Sequence, residues 1–304
     1  MSERILIIKH GGFGDFIQAM GGFAAIRAAH PEAQITLLTI PSLAALGRQC
    51  PYFNEVVEDP RVRGLAWQQW RRLRALFSQP WARVYDLQNS DRTDFYFYLL
   101  TPLKIKRVWC GRQRLAQWPD RHPARAQNHT LERIPNQLAL VGINAVPAPS
   151  LDWLPPFSSL ALPPAPYALL VPGSAPHRPE KRWPAEHYAV LAASLWQRGI
   201  TPVLLGTKSD AAATDAIAAV CPFALNLNGQ TTLADIASLA QRAALVIGND
   251  TGTMHVAAVM EAKTIVLFGQ GSDPARCAPR GKKTIILQSE NITNLSVASV
   301  LAEC

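Results

Sequence analysis

No stretch of this 304-residue chain approaches the run of about 18 apolar residues that a membrane span requires. The five cysteines (Cys50, Cys110, Cys221, Cys277 and Cys304) are odd in number and share no short spacing. That pattern argues against a disulfide framework and a zinc site, and for a reducing compartment. The first apolar run, Ile5-Leu6-Ile7-Ile8, is too short for a signal peptide and no cleavage site follows it, so a cytosolic location is expected. No Gly-Lys-Ser/Thr occurs, which excludes a Walker phosphate loop, and no nucleic-acid-binding motif is present. Charged residues are few, 17% against 48% hydrophobic, and glycine and proline are spread rather than repeated. This is the composition of a well-packed globular protein, long enough for two domains with separate cores.

What charge there is lies unevenly. Residues 1–150 hold 19 Lys/Arg against 11 Asp/Glu, whereas residues 151–304 hold 11 of each. The net +8 therefore belongs wholly to the first half. Such a half is suited to an anionic partner: a phosphorylated lipid, a membrane surface or a nucleic acid.

Both halves begin alike. Arg4-Ile5-Leu6-Ile7-Ile8-Lys9 is a β-branched run of the kind found in parallel strands buried on both faces. A glycine-rich turn follows, then a helix predicted over 16–29, closed by His30-Pro31, and a strand at 35–40. Short strands are expected at 56–57 and 84–87, with a basic, aromatic helix over 65–77 between them. Seven prolines within residues 147–166 mark a semi-rigid linker, placed at 151–166. The pattern then restarts. Strands are expected at 167–171, 202–206, 245–247 and 264–268, and helices at 184–198, 209–220, 233–242 and 253–260. Strict alternation of strand and helix predicts two doubly wound α/β domains, 1–150 and 167–304, with the last helix free to pack back on the first.

The richest segment is Gly248-Asn249-Asp250-Thr251-Gly252-Thr253-Met254-His255. A buried strand, a tight turn and a helix starting at Thr251 or Thr253 make an anion site. First-turn amides and the positive end of the helix dipole point at whatever sits above the strand. Threonine hydroxyls add donors, His255 lies on the first turn, and Asp250 suits sugar hydroxyls. The competing reading makes Asp250 or Thr251 only a helix cap.

Two further loops carry chemistry. His10-Gly11-Gly12-Phe13-Gly14-Asp15 puts a carboxylate after the first strand. It fails the dinucleotide fingerprint, because Ile17 stands where the third glycine should, so a nicotinamide dehydrogenase is disfavoured. Asp15 reads either as an active-site acid or as the first-turn cap of its helix. Pro172 to Pro184 contains Ser174, a hydroxyl donor, and Lys181-Arg182, suited to a diphosphate or else merely solvated.

With these three elements in this order and spacing, the whole chain resembles glycosyltransferase family 9, whose best-known members are ADP-heptose:lipopolysaccharide heptosyltransferases. The resemblance implies the GT-B fold, two Rossmann-like domains facing a central cleft, and inverting transfer without an obligatory metal or a cofactor. It implies Asp15 as general base, flanked by Gly12 and Gly14 on the acceptor side. Lys181 and Ser174 would serve the diphosphate, and Asp250 the donor-sugar hydroxyls. Thr251, Gly252, Thr253 and His255 would cradle the phosphates, and Thr231 would lie by the nucleobase. Domain closure is then expected to bring Asp15 and the phosphate site to opposite sides of the anomeric carbon.

The basic half fits an acceptor that is an anionic, lipid-linked saccharide at the cytoplasmic face of the inner membrane. Arg61, Arg63, Trp67, Trp70, Arg71, Arg72, Arg74, Phe77 and Trp81 form one basic aromatic stretch suited to headgroups. Lys104, Lys106, Arg107, Trp109, Arg112 and Arg114 form a second. The alternative is a solvated helix whose tryptophans belong to the core. The function expected is heptose transfer from ADP-heptose to a lipopolysaccharide core. Alternatives are another donor or a protein acceptor on the same fold, a Rossmann oxidoreductase, and a non-catalytic nucleotide-sugar binder.

Overall fold

A computed structural model describes residues 2–61, 67–155 and 160–304. The chain divides into two compact units, Met1–Pro149 and Ser150–Cys304. The first is built on β1 (Arg4–Ile8), β2 (Gln34–Thr39), β3 (Glu55–Glu58), β4 (Arg83–Asp86), β5 (Trp109–Gly111) and β6 (Trp118–Pro119). They form one parallel sheet in the order β3-β2-β1-β4-β5-β6. The second has β7 (Tyr167–Val171), β8 (Thr201–Leu204), β9 (Leu225–Asn226), β10 (Leu245–Asn249), β11 (Thr264–Phe268) and β12 (Thr284–Gln288). Its order is β12-β11-β10-β7-β8-β9, again parallel throughout.

In each sheet the chain starts in the middle, winds outward one way, then returns to wind the other. The direction reverses between β1 and β4, and between β7 and β10. Loops leaving adjacent strands there turn to opposite faces, opening a crevice at the carboxyl ends where such folds bind ligands.

The apolar runs form these strands because both of their faces are covered. Along β7, Ala168 and Leu170 enter one core with Trp183, Tyr188 and Leu191, whereas Tyr167, Leu169 and Val171 enter another with Leu239 and Met254. Strand β10 is buried along its whole length and admits no bulk at Gly248. A Cβ added there would lie 2.6 Å from Met254 Sδ and 2.7 Å from Val171 Cβ.

Several expectations are corrected. The helix predicted over 16–29 is two helices, Phe13–Gln18 and Met20–Ala29, with Ala19 between them. Strands β5, β6, β9 and β12 and the helices Pro41–Gln49 and Thr130–Ala139 were not foreseen. Leu65, Ala66 and Arg63 lie outside the described residues, and the basic helix is described over Trp67–Phe77. In the Pro-rich segment, Leu151 and Leu154 are buried, and Leu160 packs on a core of the second unit. The last helix, Val297–Ala302, lies against Ala185–Gln197 of its own unit with Val300 fully buried.

The loop leaving β1 is pinned by a buried polar network. Asp59 is fully buried beyond β3 and accepts Nε and Nη2 of Arg92 at 3.1 and 3.0 Å, the Tyr96 hydroxyl, and the Arg61 amide. His10 Nε2 stands 3.5 Å from the same carboxylate, an ion-pair distance. Burial nevertheless pushes the imidazole down to about 4, because Asp59 attracts a proton there less than desolvation and the Arg61 and Arg92 charges oppose it. Asp59 is already satisfied by Arg92 and its hydrogen bonds, so we take the ring as neutral. The unfolded chain gains a proton on His10 as pH falls through about 6.5, and the folded chain only near 4. Stability should therefore be full above that window and fall within it by about 1.4 kcal/mol per pH unit from this residue. Denaturant titrations at pH 7 and 4.5 should show a loss smaller by about 2–3 kcal/mol in His10→Gln than in wild type. Equal losses would mean that His10 is charged in the fold.

Candidate functional site

The second unit builds its site where β7 and β10 part. Asn249 ends β10 fully buried. Its Nδ2 donates to the Pro172 and Gly173 carbonyls at 2.7 and 3.3 Å, and its Oδ1 accepts the Trp183 amide and Tyr188 hydroxyl, each at 3.1 Å. One amide thus ties the β10 loop to the β7 loop and to the start of the helix Ala185–Gln197. Gly173 is there because a Cβ would come within 2.4–2.6 Å of the Asp210 carboxylate.

Asp250 follows directly. Its Oδ2 accepts Lys181 Nζ at 2.7 Å and Ser272 Oγ at 2.6 Å. Lys181 and Asp250, predicted from separate motifs, therefore form one partly buried ion pair. Thr251 then caps the helix Gly252–Val259 with extended backbone, but its side chain makes no capping bond. Its Oγ1 is buried and has no partner among the described residues. Gly252 and Thr253 present the first amides, which have no acceptor within the helix. His255, the fourth residue of the helix, is buried. A helix start, an uncommitted hydroxyl and a lysine are what a diphosphate needs.

Ser174 and Thr231 lie in structured turns. The Ser174 hydroxyl donates to the Arg178 carbonyl at 3.1 Å and so closes its own loop, while Arg182 holds the Ser174 carbonyl at 2.9 Å. Thr232 opens the helix Leu233–Arg242, its side chain exchanging bonds with Asp235. Thr231 is half-buried one residue earlier. Asn249 and Ser272 were the residues missed. Asn249 lay in view inside the motif, but its partners are 61 to 77 positions upstream.

The first unit repeats the plan where β1 and β4 part. Gly12 is the N-cap of Phe13–Gln18, and its amide donates to Asp15 Oδ2 at 3.1 Å. The capping reading of Asp15 is therefore realised, but it uses one carboxylate oxygen of a half-buried side chain. Gly14 is half-buried in the same turn. Asp15 lines a cleft of about 170 Å³ together with Lys9, Gln88, Asn89, Arg125 and Arg133. None of these three cations was singled out from the sequence.

The basic stretches separate. Arg71, Arg72 and Arg74 are exposed on Trp67–Phe77, whose Leu73, Leu76 and Phe77 are buried. Arg72 also borders a groove of about 370 Å³ with Val57 and Glu58. Trp67 is 70% exposed, Trp70 packs on Phe95 and Arg92, and Phe77 and Trp81 are core residues. The second stretch is divided: Lys104, Arg107 and Arg114 are exposed, but two of its members are engaged within the fold. Trp109 lies fully buried in β5, donating to Gln113 at 2.9 Å, and Arg112 is bound by Asp91 and Asp94.

Two parallel sheets, each with its functional loops at the switch point, define the GT-B class of glycosyltransferases. The model of glycosyltransferase family 9 (heptosyltransferase) matches residues 69–299, and the chain belongs to that family. It is a glycosyltransferase. It is 27% identical over 295 residues to lipopolysaccharide heptosyltransferase 2 of Salmonella typhimurium, covering 88% of this chain and 83% of that one. The structure of Escherichia coli ADP-heptose lipopolysaccharide heptosyltransferase II shares the fold, with a TM-score of 0.75 at 24% identity over 99% and 97% of the two chains. So does an E. coli heptosyltransferase solved with ADP, with a TM-score of 0.74 at 19% identity and 98% coverage of each chain. Among the described residues no helix is long and apolar enough to cross a membrane.

Proposed function

We propose that this enzyme transfers a heptose, with inversion, from ADP-heptose to the inner core of lipopolysaccharide. The observation that carries the reading is the Lys181–Asp250 pair at 2.7 Å beside the amides of Gly252 and Thr253. The diphosphate is held by those amides, the Thr251 hydroxyl and Lys181. Asp250 accepts hydroxyls of the donor sugar. Asp15 takes the proton of the acceptor hydroxyl, whose oxygen forms the new bond to the anomeric carbon as the bond to the diphosphate breaks. The electron pair leaves with ADP, whose growing charge Lys181 and the helix start stabilise. Neither unit holds all of these groups, so turnover needs both.

The same reading places the protein in the cytoplasm, at the inner face of the inner membrane. The exposed Arg71, Arg72 and Arg74 meet anionic headgroups there, in line with the excess charge of the first half.

Asp15→Asn keeps an oxygen for the Gly12 amide but removes the base. Turnover should fall about 10²–10⁴-fold with ADP-heptose binding unchanged, whereas near-normal turnover would leave Asp15 as a cap alone. Lys181→Ala removes the cation and strands Asp250 as an unpaired anion. Calorimetric titration with ADP should show binding weakened at least about tenfold, since a charged hydrogen bond contributes about 1.5–3 kcal/mol. Unchanged affinity and turnover would make the pair purely structural. Replacing Arg71, Arg72 and Arg74 together by Ser should weaken sedimentation with anionic vesicles, each residue contributing about 1 kcal/mol, and raise the acceptor KM alone. Indifference of both would reduce the cluster to a solvated helix face.

A further inference from the structure

The first unit concentrates its exposed apolar side chains in one segment. Among its described residues seven large apolar side chains are exposed, and four of them, Phe95, Tyr98, Leu99 and Leu103, fall within nine positions. Leu99 is 63% exposed and Leu103 77%. Single apolar residues on a surface need no explanation, but a cluster marks an interaction surface. None of the four lines the cleft beside Asp15.

The cluster stands on a firm base. The short helix Asp91–Phe95 runs into a π-helical turn, Tyr96–Leu100, a form often found at functional sites. The inner side of that turn is fixed by the core: the Tyr96 hydroxyl donates to Asp59, and Phe97 packs edge-on against Trp109 with ring centroids 5.2 Å apart. Tyr96, Phe97 and Leu100 are buried there, which leaves Phe95, Tyr98 and Leu99 outward. Thr101 Oγ1 closes the turn on the Tyr96 carbonyl at 2.8 Å, and Leu103 opens the next helix, Leu103–Lys106. Lys106 ties the two together, its Nζ donating to the Tyr98 carbonyl at 3.2 Å and standing 5.2 Å over the Phe97 ring.

The surroundings carry one sign of charge. No acidic residue occurs from Phe95 to Pro119, a span that holds Lys104, Lys106 and Arg107, and none occurs from Arg61 to Tyr85, which spans the basic helix. Trp70 of that helix packs on Phe95 with ring centroids 5.0 Å apart, so the two segments adjoin. The carboxylates that precede the turn, Asp91 and Asp94, are engaged by Arg112. A second copy of this chain would set the same cations against these across a two-fold interface, where like charges repel. An anionic bilayer complements both features. Its phosphates suit the cations, its acyl boundary suits the leucines, and aromatic rings favour the level between.

We propose that the Phe95–Leu103 segment inserts into an anionic lipid surface. Tyr98, Leu99 and Leu103 enter the boundary between headgroups and acyl chains, and Lys104, Lys106 and Arg107 hold the phosphates around them. This rests on the placement at the inner membrane proposed above and deepens it. The arginines of Trp67–Phe77 draw the protein to the surface by charge, whereas the inserted side chains hold it there by apolar burial. The two contributions respond differently to salt, because screening removes the first and spares the second.

The test is sedimentation of the full chain with vesicles of phosphatidylglycerol and phosphatidylethanolamine, at low salt and at about 1 M salt. Wild type should bind at low salt and keep part of its binding at high salt. Leu99→Ser combined with Leu103→Ser should weaken binding about 10–100-fold and abolish the salt-resistant part, whereas Leu99→Met with Leu103→Met should bind as wild type. Thermal unfolding should be the same for all of them, since both side chains are exposed. Replacing Arg71, Arg72 and Arg74 by Ser should do the reverse, losing binding at low salt and sparing the salt-resistant part. If the serine variant binds like wild type, insertion is overturned; should the arginine variant alone be weak, placement at the membrane by charge still stands. Wild type that binds no vesicles overturns both readings. A wild-type dimer that the serine substitutions dissociate, with no vesicle binding, gives the face to a second copy and overturns insertion.

Discussion

The side chain of Asn249 holds the switch-point loops of the second unit together. Strand order fixes only that the loops after β7 and β10 diverge; it does not fix their relative height to the accuracy that binding a diphosphate needs. Four hydrogen bonds from one buried amide do so, joining the Pro172–Gly173 backbone, the Trp183 amide and the Tyr188 hydroxyl. Trp183, almost fully buried and bonded through its indole to the Leu295 carbonyl, anchors the far end. Lys181 lies two residues before that anchor and Asp250 one residue after Asn249. Their 2.7 Å contact is thus a consequence of the tie rather than its cause. A buried network that is fully satisfied rigidifies the loops it joins, because any displacement leaves polar groups unpaired.

How much was legible depended on how local the determinants are. Strands β1, β7, β10 and β11 were plain, since both faces are covered and their central residues are an unbroken apolar run. Strands β6 and β9 are two residues long, and β12 is a half-buried edge, so no run of useful length marked them. The stretch from Lys104 to Arg114 read as a basic patch. The carboxylates that engage Arg112 lie 18 and 21 residues upstream, and Trp109 is buried by the rings of Phe77 and Phe97, packed on it from elsewhere in the chain. The candidate site shows the same division. Asp15, Asp250 and the Thr251–His255 turn were visible because each is contiguous with a strand end. Lys9 lies more than 100 residues from Arg125 and Arg133 and meets them only through the fold.

The break between Gln18 and Met20 illustrates a further limit. Periodicity measures which face is buried, and that face continues across both helices, so the pattern shows no interruption. The interruption resides in backbone geometry. Its effect is a short first helix that carries Asp15 in its capped first turn while Phe16 and Ile17 fill the core.

The two switch points treat their lysines in opposite ways, and the difference has a functional logic. Lys181 is compensated by Asp250 at 2.7 Å, so the donor site is close to neutral before anything binds. A bare phosphate arriving there gains Lys181 but meets Asp250. A nucleotide sugar brings phosphates for the lysine and hydroxyls for the aspartate together, so the pair discriminates in favour of ligands that satisfy both. Lys9 has no carboxylate within ion-pair distance among the described residues; burial lowers its pKa, and Asp15 and Asp86 oppose that shift while Arg133 and Arg125 add to it. The contrast runs with the charge asymmetry of the sequence, neutral in one half and strongly positive in the other.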